Sequence, residues 1–182
     1  MWSNAQMKAK SKSKSRTLSD PQGWIAVKKV RNGRGLVATR SFRTGQLIAE
    51  IEGKIVTAEQ VWGYWEVDER RGANCIRYDD DNFLDPEGYI GAFCNHSCNP
   101  NTALIKRGRK LILKSIQPIS AGDELTHDYS TYIGKDDVWT MQCNCGEDNC
   151  RGIVKNFSKV AKATLARYKK LGAIPKFILE TR

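Results

Sequence analysis

The stretch "AFCNHSCNPN" (Ala92–Asn101) puts two cysteines, a histidine, three asparagines and a proline into ten residues. It is open to three readings: a metal site, a cysteine nucleophile with its histidine base, or a polar turn. The nucleophile reading is weak, because His96 and Cys98 are near neighbours in sequence, whereas such a pair is normally brought together by the fold. A second run, "CNCGEDNC" (Cys143–Cys150), supplies Cys143, Cys145 and Cys150 in a Cys-x-Cys-x4-Cys array with glycine and asparagine between them. Structural zinc takes four soft ligands in a tetrahedron, and this run supplies three. Cys75, Cys94 and Cys98 are candidates for the fourth. Cys98, in a proline-containing turn, has the mobility and exposure a ligand needs, while Cys94, beside Phe93 in an apolar stretch, reads as a small core residue. Unpaired thiols or a disulfide remain the plain alternative.

Working outward, the chain alternates short apolar runs with turns. "WIAVKKV", "GLVATRSF" and "QLIAEIEGKIV", separated by "RNGRG" and "RTGQ", have the period-two patterning of β-strands. "TAEQ" from Thr57 is a capping box, predicting a helix from Ala58 towards Arg71 that stops at Gly72. Further strands are expected at Ile76–Tyr78, Phe83–Leu84, Thr102–Lys106 and "RKLILKSI", and the turn "PISAGDE" leads into "LTHDYS". A C-terminal helix from Ser158, its cap, to Leu171 has an apolar stripe of Val160, Ala161, Leu165, Tyr168 and Leu171, with Gly172 ending it. The acidic run Asp79–Asp81 lacks the spacing of a calcium loop and reads as a solvated turn. "GRGLVA" (Gly33–Ala38) fits a dinucleotide fingerprint in letters only, since no crossover helix fits between Gly35 and Leu47.

Composition sets the outer bounds. With 182 residues, 40% hydrophobic and 27% charged, the chain is long enough for one domain plus appendages. No apolar run approaches the ~20 residues that cross a bilayer, so a soluble protein without membrane partners is expected. The N-terminus has no apolar segment behind its basic residues, which argues against a secretory signal and for an intracellular, reducing setting. The net charge of +10 points to an acidic partner. Part of it sits in residues 1–20, where Lys8, Lys10, Lys12, Lys14 and Arg16 alternate with small residues; this reads as a disordered basic tail, a candidate contact for nucleic acid or a nucleosome and a candidate self-substrate.

The "GRG" turn with "LVATRSFRTGQLIAEIEG", then "NHSCNPN", "PISAGDELTHDY" and "CNCGEDNCRG", resembles in order and spacing the SET-domain protein lysine methyltransferases with a post-SET zinc motif. The likeness covers about residues 23 to 154. It implies a mainly β fold of small curved sheets with a pseudoknot, few short helices, a post-SET zinc loop and, beyond it, the C-terminal helix. The implied layout is a SET domain over residues 21–138, a post-SET zinc-binding motif over 139–155 and a helical extension over 156–182. The implied activity is methyl transfer from S-adenosylmethionine to a lysine amine of a protein substrate, a histone tail or another basic protein. By position, the resemblance implies that Gly33, Arg34, Gly35, Asn95, His96 and Tyr129 hold S-adenosylmethionine, and that Tyr129 is catalytic, with His127 beside it in the lysine channel. Cys98 is implied as the ligand completing Cys143, Cys145 and Cys150 around one structural zinc ion. The implied location is the nucleus or chromosome in a nucleated host, and otherwise the cytoplasm or export to a host cell.

Three positions depart from the family pattern: Ile51 where tyrosine is common, Ala92 where arginine is common, and His127 where phenylalanine or tyrosine is common. His127 is expected to change charge near neutral pH and leaves the number of methyl groups open. The departures keep a second reading alive, a catalytically weak or silent SET module bound to chromatin or nucleic acid. A plain zinc-ribbon binder would need a second cysteine knuckle, which the sequence does not offer.

Overall fold

The computed structural model describes residues 20–135 and 137–180. The expected basic tail, except for Asp20, lies outside them. Asp20 itself is part of the ordered chain: its carboxylate accepts from the amides of Trp24 (2.6 Å) and Ile25 (3.1 Å), setting the start of the first strand.

The elements follow in the order β1 (Ile25–Val30), β2 (Gly33–Ala38), β3 (Leu47–Ile51), β4 (Lys54–Thr57), α1 (Ala58–Val67), α2 (Glu69–Asn74), β5 (Ile76–Arg77), β6 (Asn82–Asp85), β7 (Asn95–His96), β8 (Thr102–Arg107), β9 (Lys110–Ser115), β10 (Thr126–His127), β11 (Met141–Gln142), β12 (Ile153–Val154), α3 (Lys162–Leu171) and α4 (Lys176–Glu180). The strands form small sheets, antiparallel with one exception: β1 with β2, β3-β9-β8, β4-β6-β5 and β11 with β12. The exception is the parallel pair of β7 with β10, which sets Thr126 beside Asn95 and His127 beside His96. Strand β9 shows why the sequence alternates: Leu111, Leu113 and Ser115 are buried, and the residues between them are not. The core gathers Leu36, Ile48, Leu104, Leu111, Leu113 and Leu125 from several sheets. Truncating any of these leucines to alanine costs about 2–5 kcal/mol.

Several expectations are corrected. "QLIAEIEGKIV" is two strands in different sheets, because the chain turns at Gly53, where a Cβ would meet the carbonyl of Asp85 at 2.5 Å. The capping box at Thr57 is present, with Gln60 N donating to Thr57 Oγ1 (3.3 Å) and Thr57 N to Gln60 Oε1 (3.0 Å). The helix it opens breaks at Asp68, whose side chain accepts from Arg71 N (3.1 Å) and so caps a second helix that runs on through Gly72. An aspartate that bonds its own following backbone competes with helix continuation. α2 is fastened to the sheet by Arg71, which donates to Asp85 at 2.6 Å; Asp85 is 3% exposed. The C-terminal helix starts at Lys162 rather than Ser158, whose hydroxyl donates to Asn156 Oδ1 (2.7 Å) in a preceding 3₁₀ turn. It ends as expected at Gly172, with φ +64°, and packs through Tyr168 against Ala103, Ile116 and Ile178.

Candidate active site

Helices α1 and α2 stand over the edge of the core and frame a groove of about 520 Å³. Its walls are mostly apolar, with Trp65, Ile76, Phe83 and Leu104 inside. Two apolar side chains that would ordinarily be buried stand out at its rim, Trp62 at 66% and Val138 at 87% exposure. Such a patch beside a concave surface is the mark of a binding site. Gly72 lets Trp65 lie flat, since a Cβ there would meet the indole at 2.7 Å.

The groove floor is made by Cys94, His127, Tyr129 and Tyr132. Tyr129 opens a 3₁₀ turn, Tyr129–Tyr132, capped by Asp128, which accepts from Ser130 N (3.0 Å). Its hydroxyl donates to Cys94 O at 2.9 Å, and its ring lies 4.9 Å from the His127 ring and 5.3 Å from that of His96. Burial pushes the Tyr129 phenol well above its usual range, so it stays protonated. His127 Nδ1 sits 3.3 Å from Cys94 Sγ. Burial, seconded by His96 and opposed by Asp128, pushes the His127 imidazole down to about 4. The expectation that it changes charge near neutral pH is therefore corrected: it is neutral there.

Successive strand residues point to opposite sides. Cys94 faces the groove, while Asn95 turns to the β1–β2 hairpin, where Nδ2 donates to Arg34 O (3.1 Å) and Glu124 Oε1 (2.8 Å). This approach requires Gly35, where a Cβ would meet Glu124 Oε1 at 2.5 Å and Asn95 Nδ2 at 2.9 Å. Arg34 lays its guanidinium over the Phe93 ring at 4.4 Å. His96 is buried, and its ring is fully engaged: Nδ1 accepts from Tyr129 N (3.2 Å) and Nε2 lies 3.4 Å from Cys98 Sγ.

The sulfurs of Cys98, Cys143, Cys145 and Cys150 all lie within 4.8 Å of one another, and Cys98 and Cys143 are 3.8 Å apart. A zinc tetrahedron with bonds of ~2.3 Å has sulfur–sulfur edges of about 3.8 Å, so the donor set and its spacing fit that ion. Backbone amides already face these sulfurs, from Arg151 to Cys98 (3.4 Å) and from Gly152 to Cys150 (3.5 Å). Cys98 is buried rather than exposed, because the loop closes over it. Cys75 stands apart, donating to Arg71 O, and Cys94 belongs to the core as expected. The cysteine loop is fastened to the β1–β2 turn by Arg31 Nε (3.1 Å) and Asn32 Nδ2 (3.2 Å), both donating to Asn144 O.

Residues 33–130 match the SET domain family. The chain belongs to that family. The SET chain is 30% identical over 136 residues to "Histone-lysine N-methyltransferase trr" of Drosophila melanogaster, covering 70% of this chain and 6% of that protein. It is 31% identical over 133 residues to the "Histone-lysine N-methyltransferase, H3 lysine-4 specific" of Saccharomyces cerevisiae, covering 66% of this chain and 12% of that one. It thus spans a small part of the length of these relatives. Its fold resembles the methyltransferase domain of human Histone-lysine N-methyltransferase SETMAR, with a TM-score of 0.60 at 25% identity, over 72% of this chain and 58% of that one. Among the described residues no helix is long and apolar enough to cross a membrane.

Sequence reasoning missed the group that ties this SET site together. Asp128, 2% exposed, takes a two-pronged contact from Arg151 (2.7 and 2.6 Å) and a third bond from Tyr168 Oη (2.9 Å). Burial works against its charge, but the Arg151 guanidinium holds its carboxyl below the usual range. This joins the turn bearing Tyr129, the residue after Cys150 and helix α3. Only the adjacency of Asp128 to Tyr129 and of Arg151 to Cys150 hinted at it. The groove walls Trp62, Trp65 and Trp139 carried no such signal.

Proposed function

We propose that this chain is an S-adenosylmethionine-dependent protein lysine N-methyltransferase carrying one structural zinc ion. The observation that carries the reading is the position of Tyr129: a neutral phenol tied to a backbone carbonyl at the floor of an apolar groove, one strand away from Gly33–Gly35 at the start of β2. Bound there, S-adenosylmethionine supplies an electrophilic methyl group for in-line displacement.

The chain's own groups then have three tasks. Gly33, Arg34, Gly35 and Asn95 would hold the cofactor on the hairpin side, where Asn95 Nδ2 is bonded to Arg34 O and Glu124 Oε1 and its Oδ1 is left as an acceptor. His96 keeps the Asn95 strand in place through Tyr129 N and Cys98. The groove dehydrates the substrate lysine, which lowers its pKa from ~10.4 and favours the neutral amine that attacks. Tyr129 Oη and Cys94 O orient that amine, and neutral His127 adds no charge to repel it. Cys98, Cys143, Cys145 and Cys150 hold the zinc that keeps the loop against Arg31 and Asn32, roofing the cradle.

The relatives' names make a histone tail the first substrate to try, and in a nucleated host the nucleus the first place to look. The test is mass spectrometry of zinc-loaded protein with S-adenosylmethionine and histone H3, histone H4 or nucleosomes, beside Tyr129→Phe. Methyl units on substrate lysines, nearly abolished in the variant, are the expected result. Cofactor binding without transfer to any of these would favour a silent SET module, and absence of cofactor binding would overturn the reading.

A further inference from the structure

The 3₁₀ turn that carries Tyr129 into the groove presents its next residue, Ser130, to a second cleft of about 280 Å³, walled by Ser130, Arg151, Lys155, Asn156 and Lys159. Among the described residues two buried side-chain polar atoms lack a hydrogen-bond partner, Ser130 Oγ and Arg151 Nε, and both belong to this cleft's walls. Ser130 is 0% exposed. Leaving a buried polar group unmatched costs about 1–3 kcal/mol, so a partner is expected. The chemistry of that partner follows from the donors. Arg151 spends its two terminal nitrogens on Asp128, leaving an Nε–H that can only donate. Lys155 and Lys159 are exposed and make no ion pair among the described residues. The cleft thus offers donors and positive charge, which is what a phosphate oxygen needs.

The cations do not end with the cleft. Lys162, Arg167, Lys169, Lys170 and Lys176 follow, all exposed, and Glu180 is the first acidic residue after Arg151. Helix α3 buries Tyr168, so Lys162 and Lys169, about two turns or 10 Å apart, share its outward face with Lys170. A free phosphate would use the cleft alone; a run of cations leading away from it, in no ion pair among the described residues, suits a polymer of phosphates.

We propose that the cleft between Ser130 and Lys159 binds a phosphate group, and that its source is the backbone of a nucleic acid laid along α3. This site is separate from the basic N-terminal tail and does not depend on the methyl-transfer reading.

The experiment compares three full-length proteins binding a short fluorescent DNA duplex by anisotropy between ~50 and ~200 mM salt: the natural chain, Lys155→Glu/Lys159→Glu, and a control reversal elsewhere, Arg43→Glu/Lys54→Glu. The tail is common to all three and cancels. The expected result is at least ~10-fold weaker binding and a salt slope smaller by about 2 in the cleft variant, with the control within ~2-fold of the natural chain. Equal losses in both variants, or no binding at ~50 mM salt, would overturn the proposal. Inorganic phosphate supplies the second arm, followed by NMR at the Ser130 and Arg151 amides. Shifts with phosphate and competition against duplex support the site. Shifts without any duplex binding would overturn the nucleic-acid source, and displacement of duplex by polyglutamate as effectively as by a second duplex would overturn phosphate as the ligand class.

Discussion

The apolar groove and the cysteine cluster share a wall, since Tyr129, Ile133 and Trp139 line the one and pack on the other, yet opposite chemistry holds them. The groove's far wall, α1 and α2, buries Val61, packs Trp65 onto Gly72 and is fastened by Arg71 bound to buried Asp85. The cluster's four sulfurs would repel one another as thiolates and hold together only around a cation. A metal bound by the cluster would therefore act on the shared wall, with the catalytic candidate Tyr129 in it, and not on the far wall.

Zinc removal breaks this comparison most directly. Chelation, or Cys143→Ser, is expected to abolish S-adenosylmethionine binding by calorimetry while far-UV circular dichroism keeps most of its strand signal, because zinc contributes ~10–16 kcal/mol to sites of this kind and the β3-β9-β8 sheet takes no part in the cluster. Loss of the whole fold would show instead that the two regions are one cooperative unit. Next in size, Tyr129→Phe should lower turnover by ~10²–10⁴ while leaving cofactor affinity near its natural value, measured by kinetics and calorimetry side by side. Gly35→Ala sharpens the contrast from the cradle side: its methyl collides with Glu124 and Asn95, and an overpacking cost of roughly 1–3 kcal/mol should weaken cofactor binding by about tenfold or more with peptide KM unchanged.

The smallest effect on activity is expected at His127, which faces Cys94, His96, Asp128, Tyr129 and Tyr132. Because its imidazole is pushed down to about 4, turnover of His127→Phe should follow the same pH profile as the natural protein between about pH 6 and 9. Stability behaves otherwise. The unfolded histidine takes up its proton near 6.5 and the folded one near 4, so its contribution is fully present above 6.5 and is lost as pH falls through that window, by on the order of 3 kcal/mol. Urea midpoints at pH 7 and pH 4.5 should therefore fall less on acidification in His127→Phe than in the natural chain.

What could be read from the chain alone tracks how local each feature is. Three cluster ligands lie within one short run, Cys143 to Cys150, and strands such as β9 declare themselves by alternation. The capping box at Thr57 was legible for the same reason, while the break at Asp68 was not, since an aspartate inside a helical pattern also reads as an exposed helix residue. Ser158 misled as a cap because the chain uses its hydroxyl on Asn156 instead. His127 lies beside Tyr129 in the groove, and its charge was misread because it depends on burial that no neighbouring residue in sequence reports.

The sequence by itself determined the many short strands and few helices, the three-thiol run and, through the joint order of its motifs, the family and with it the small-sheet fold, because turn chemistry, period-two patterning and ligand spacing act over a few residues. Only the tertiary structure decided that Asp128 joins Arg151 and Tyr168, and that Trp62, Trp65 and Trp139 wall one groove. Those partners lie tens of residues apart, and their meeting depends on which faces the small sheets bury against one another, a property of packing that no single stretch of the chain contains.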